Sequence, residues 1–163
     1  MGEALMPDGQ PVSYDGLLNN RFNMVFDKLP NVSFFLQGFS LPSVMVDEVK
    51  IPTPIVDYNE IGEKMEFSPF TLNFLVDSQL RNWKEVFAWM KRMTVNGSNV
   101  GESGTATIFF NGEPVINFIG AWPTVLGGID LDTTTEEAEY VYGSVTINYD
   151  YFDVIDSNVE NYK

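Results

Sequence analysis

The 163 residues contain no cysteine and no histidine. The first absence excludes disulfides and all thiolate chemistry. The second removes the usual general base and the commonest metal ligand. A Ser–His–Asp triad, a Cys–His pair and any zinc site built on histidine are excluded together. Cationic side chains are also scarce: nine Lys and Arg stand against 23 Asp and Glu, a net charge of −14. Nucleic-acid binding runs on cations that neutralise phosphates, so such a surface repels nucleic acid. No apolar run approaches the roughly 18 residues of a membrane-spanning helix, and residues 1–20 lack the basic start and apolar stretch of a signal peptide. These absences predict a non-enzyme with no catalytic residue, cofactor site, metal site or membrane segment.

What is present is enough apolar material for one core. Hydrophobic residues make up 44% of the chain and aromatics 14%, which predicts a single folded domain. Residues 1–20 carry Gly2, Pro7, Gly9, Pro11 and Gly16 and read as a flexible arm before a β domain over 21–153, with a short tail over 154–163. Strands are predicted over 22–27, 32–39 and 46–51, with a turn at Leu29-Pro30-Asn31. Pro52 and Pro54 make 52–63 an extended connector. From Phe70 the alternation is regular within a strand over 66–76.

The period then changes. Leu80, Trp83, Phe87 and Met90 recur at spacings of three and four, which predicts a helix over 79–93 with that face in the core. Asp77 or Ser78 is placed to cap it, and Arg81, Lys84 and Arg92 form an outer basic face. Asn111-Gly112 between 105–110 and 114–119 predicts a tight hairpin. Trp122-Pro123 is expected to break the strand at a bend, Trp122 filling the corner as core. A short strand over 125–132 and a long one over 140–152 complete a mainly β fold: a β-sandwich or partly open barrel with one packed helix and long loops.

Motifs for chemistry are lacking. Gly97, Gly101 and Gly104 precede a strand, so they do not form a phosphate loop at a helix start. Asp47-Glu48, Asp130 with Asp132, and Glu136-Glu137 are carboxylate pairs that 23 acidic residues produce by number alone. Asn31-Val32-Ser33 and Asn96-Gly97-Ser98 match the glycosylation pattern but have no secretory signal beside them. The aromatic-rich strands leave room for a different class, a small-molecule-binding β-barrel.

Residues 118–132, with Gly120-Ala121-Trp122-Pro123-Thr124 at their centre, resemble a segment of tail-tube proteins from contractile-tailed bacteriophages. Arg21 to Phe26 is similar to that family's first strand, Phe39-Ser40-Leu41-Pro42 to the bend after its second, and 69–89 to its strand–helix unit. The resemblance implies a virion tail protein, with no enzymatic role, that forms stacked six-membered rings. It implies tail sheath, baseplate and tape-measure proteins as partners, and a channel that DNA passes without specific binding. A tube-like baseplate initiator and the type VI secretion needle are related alternatives. Under this reading Glu66, Asp130, Asp132 and Glu139 are expected on strands, as lumen or interface charges. The helix segment carries a charge balance of +3 and the rest of the chain −17.

Overall fold

The computed structural model describes residues 20–95, 102–134 and 136–155. The expected arm, apart from Asn20, and the Asn96-Gly97-Ser98 motif lie outside them, as does the expected tail beyond Ile155. The elements in chain order are β1 (Phe22–Phe26), α1 (Pro30–Phe34), β2 (Leu36–Phe39), β3 (Val44–Ile51), β4 (Tyr58–Phe67), β5 (Phe70–Leu75), α2 (Arg81–Val95), β6 (Gly104–Phe110), β7 (Glu113–Leu126), β8 (Tyr142–Asn148) and β9 (Tyr151–Val154). The fold is mainly β, as expected, built of open antiparallel sheets with two helices instead of one.

Seven strands form one sheet in the order β1-β6-β7-β8-β5-β2, with β9 also on β7. β7 joins its halves. β7 pairs with β6 from Glu113 to Ala121 and with β8 from Trp122 to Leu126. β9 pairs with residues 116–119 in the same register that β8 takes up at Trp122. β8 and β9 therefore lie along one side of β7, and β6 along the other. The sheet curls until Phe22 on edge β1 meets Phe39 on edge β2, ring centroids 5.3 Å apart. No ladder joins β1 to β2, so the barrel stays open.

The interior is filled by side chains. Met24, Phe26, Leu72, Phe74, Ile108, Phe118, Val145 and Ile147 are buried in it. Phe70, Phe118, Tyr149 and Phe152 pack edge to face or tilted, with Phe118 and Tyr149 at 4.9 Å. Such pairs add to their area burial. The Tyr149 hydroxyl donates to the Ser68 carbonyl at 2.8 Å, and burial pushes its pKa up to about 12. Asn111 and Gly112 both have positive φ, the geometry of a two-residue hairpin turn.

Several sequence expectations change. Residues 32–39 are not one strand: Pro30 sits at the start of α1, where its missing N–H costs nothing, and the strand begins only at Leu36. Residues 52–63 are not all connector, because β4 starts at Tyr58 and pairs with β3. Both faces of β4 are exposed, so no apolar alternation betrays it. Residues 127–132 are not a strand, and the long strand over 140–152 is divided into β8 and β9.

Trp122-Pro123 does not end β7. The strand is bulged at Gly120, whose φ is +66°, and at Trp122 the pairing passes to β8. Proline is tolerated there because the ladder to β8 shifts register between Pro123 and Val125. Pro123 is buried and Trp122 half-buried.

Helix α2 also turns differently from expectation. Its deepest residues are Asn82, Val86 and Trp89, a stripe one position off the predicted one. Trp83 and Met90 are half-buried at its border, but Phe87 is 52% exposed and does not belong to the core. Leu80 lies outside the helix at φ 58°, and its carbonyl accepts the Lys84 amide at 2.9 Å. Asn82 sets the rotation. Its Nδ2 donates to the Leu75 carbonyl at 2.6 Å, and its Oδ1 accepts the Asp77 and Trp83 amides. Both ends of this buried amide are satisfied inside, which a lysine or glutamate at that position could not match. Trp89 Nε1 donates to the Glu102 carbonyl at 2.7 Å, holding the far end.

Trp89→Ala is expected to cost about 3–5 kcal/mol in denaturant unfolding, and Phe87→Ala under about 1 kcal/mol. A larger loss at Phe87 than at Trp89 would put the helix in the predicted rotation instead. An ordinary tyrosine ionises near pH 10 in the unfolded chain, whereas Tyr149 keeps its proton to about 12 in the fold. The unfolded state then binds fewer protons across that window, so stability falls as pH rises through it. Tyr149→Phe should flatten this decline and remove the latest phenolate step in the 295 nm titration.

Candidate assembly interface

The β3–β4 hairpin stands apart from the body. Among the described residues it forms its own two-stranded sheet, and no other element packs on it extensively. Every residue of β3 is exposed, and so are eight of the ten in β4. Cross-strand partners share a face. Val44 with Phe67 and Val46 with Met65 lie on one face, joined after the irregularity by Ile61 opposite Glu48. Met45, Val49 and Ile51 fall on the other, with Tyr58 opposite Ile51. Ile61 is 89% exposed and Ile55, in the connecting turn, 93%. The twist at mid-hairpin needs Gly62, because a Cβ there would collide with the Asp47 backbone. Apolar side chains exposed on both faces of one hairpin are what an interaction site offers.

The expected lumen charges do not gather on one strand face. Glu66 is exposed on the hairpin opposite Met45. Asp130, Asp132 and Glu139 are exposed in the loop between β7 and β8, not on strands as expected. Asp132 accepts from the Thr134 amide and hydroxyl, and these bonds hold its carboxyl below the usual range. Three of the four thus share the loop between β7 and β8, and Glu66 lies apart on the hairpin.

The basic face of α2 divides in two. Arg81 pairs with Asp77 at 3.5 Å and hydrogen-bonds Gln79. Arg92 pairs with Glu102 at 3.6 Å. Asp77 thus serves Arg81, and the helix start relies on Asn82 instead of a capping Asp77 or Ser78 side chain. Lys84 is exposed. On the inner side, Glu85 accepts the Asn31 amide at 3.2 Å and fixes α1. Burial pushes its pKa up, against the lowering effect of the Asn31 and Val32 amides.

Asn82 and the hairpin are what sequence reasoning missed. A lone Asn in a charged helix start has no distinguishing signal, but Val44-Met45-Val46 followed by Ile51, Ile55 and Ile61 is an apolar series that no predicted core claims. No helix among the described residues is long and apolar enough to cross a membrane.

No family model matches the chain. It is 24% identical over 132 residues to the tail tube terminator protein of enterobacteria phage T4, covering 72% of this chain and 75% of that protein. The tube-terminating cap of the anti-feeding prophage superposes with a TM-score of 0.67 at 15% identity, covering 91% of this chain and 97% of that one. A chain from the sheath/tube terminator structure of the extracellular contractile injection system PVC superposes at 0.66 and 19% identity, covering 89% and 99%. The likeness to a tube subunit is thereby narrowed, since these relatives terminate or cap a tube. In sequence and fold the chain is thus similar to proteins that terminate or cap the tubes of contractile tails and injection systems.

Proposed function

We propose that this chain terminates the tube of a contractile tail, forming a ring on the last tube ring and ending its growth. The observation that carries the reading is the β3–β4 hairpin, an apolar arm with no extensive packing in its own protomer. Left in water it is a liability, and packed on a neighbouring copy it becomes an interface. Edges β1 and β2, unpaired among the described residues, support the same conclusion, because unpaired strands invite pairing between chains.

The ring is six-membered, as the resemblance to tail-tube proteins implies, and it meets the tube on one side and the sheath around it. Baseplate and tape-measure proteins are its more distant partners. The channel is negatively charged, so DNA passes without adhering. A net charge of −14 supports this, since charge of one sign reinforces itself within low-dielectric walls. The ligand-binding barrel has less support, because aromatic side chains occupy the interior that a ligand would need.

The full chain should form rings visible by negative-stain microscopy, alone or with tube protein. Val46→Glu combined with Ile61→Glu should abolish the rings while changing monomer stability by less than about 1 kcal/mol, as exposed substitutions do. Rings that survive both charges, or a protein that stays at 18.4 kDa with tube protein present, would refute the proposal.

A further inference from the structure

A ring of more than two identical chains needs a head-to-tail contact, in which two different surfaces of the protomer fit each other. Hairpin against hairpin is a self-matching contact and stops at a dimer. The surface that receives the β3–β4 hairpin in the proposed ring therefore lies elsewhere on the chain.

A groove of about 430 Å³ lies at the end of β5. Its backbone is tied from both sides: the Leu75 amide donates to the Phe35 carbonyl at 2.9 Å, and the Val76 amide to the Val141 carbonyl at 2.8 Å. Phe35 is braced by Phe34, edge to face at 5.0 Å. Leu80 lines the groove in the left-handed conformation that leucine rarely adopts, and strain of this kind gathers at sites of contact. Ile129, Leu131 and Tyr140, from the loop between β7 and β8, complete the lining. Leu131 and Tyr140 are exposed.

The tip of the hairpin has matching chemistry. Residues 51–56 carry no charge, whereas the rest of 44–67 carries eight. Ile55 and Val56 are exposed. Thr53 Oγ1 donates to the Val56 carbonyl and accepts the Val56 amide at 3.3 Å, and Pro52 and Pro54 fix φ on either side of it. The tip is therefore shaped before it meets a partner, which lowers the cost of binding. One charge of each sign flanks it, Lys50 before and Asp57 after. The groove also carries both signs, Glu139 in its lining and Arg81 paired with the lining Asp77.

We infer that the hairpin tip of one copy seats Ile55 and Val56 in this groove of the next copy around the ring. A cavity of about 150 Å³ holds a benzene ring, so the groove admits both side chains. Lys50 then meets Glu139 and Asp57 meets Arg81, and the complementary signs fix the direction of insertion. The inference rests on the ring reading above and names the surface that receives the hairpin.

The test uses the full chain, whose lack of cysteine leaves only the introduced thiols to react. Ile55→Cys and Tyr140→Cys are made singly and together, assembled with tube protein and treated with a short bismaleimide. The double variant is expected to give a ladder up to the full ring on a denaturing gel. A mixture of the two single variants should give dimers only, and each single variant alone should stay monomeric. Lys50→Glu in the double variant should cut the ladder about tenfold, and Glu139→Lys added to it should restore the ladder. Rings seen by negative stain without a ladder would overturn the inference and leave the ring reading standing. Dimers from Ile55→Cys alone would do the same, because they mean hairpin against hairpin, as would a ladder that ignores the charge reversal or is not restored by the exchange. No rings from the unsubstituted chain with tube protein would overturn the ring reading, and this inference with it.

Discussion

The fold depends on one strand serving two neighbourhoods. β7 carries β6 and β1 through its first part and β8, β5 and β2 through its second. A flat strand could not turn between them. The bulge at Gly120 provides the turn through a backbone conformation that L side chains rarely adopt. A Cβ there would also displace the Asp150 carboxylate. With that bend in place the sheet curls on itself, Phe22 reaches Phe39, and the aromatic group around Phe118 and Tyr149 closes the interior.

Closing one core leaves other surfaces unspent. The β3–β4 hairpin touches that core only at its base, where Phe67 packs on Tyr149 and Phe152, and carries its other apolar residues outward on both faces. Helix α2 is rotated by its buried Asn82, so Phe87 moves from the interior to the surface. Among the described residues the open barrel keeps two unpaired edges. In a monomer each of these is costly or hazardous. In the ring proposed above they would be the means of contact.

Charge shapes how such contacts form. Copies with a net charge of −14 repel one another at long range. Association of copies in the proposed ring would therefore rely on short-range apolar packing of the kind the hairpin offers. The cations are concentrated on α2, where two arginines are held by Asp77 and Glu102. The separation of an apolar arm from a basic helix gives the protomer two chemically distinct surfaces.

Composition and local pattern alone settled a good deal. The missing nucleophiles and bases excluded whole reaction classes, and Asn111-Gly112, the Phe70–Val76 alternation and the spacing-three-and-four run after Leu80 identified a hairpin, a strand and a helix. Those signals are local: each reflects a backbone preference or one buried face. The Gly120-Ala121-Trp122-Pro123-Thr124 segment, together with the order of the weaker pieces before it, suggested the kind of assembly. The rest depended on tertiary contacts. Which helix stripe is buried was decided by Asn82 reaching the Leu75 carbonyl, seven residues back on another element. Residues 58–67 pair as a strand without burying a face, so their periodicity had nothing to record. Trp122-Pro123 looked like a stop because proline lacks a ladder donor, and only the register shift opposite β8 makes room for it. A sequence records which side chains favour water; the partner each one finds is set by strands that meet from distant parts of the chain.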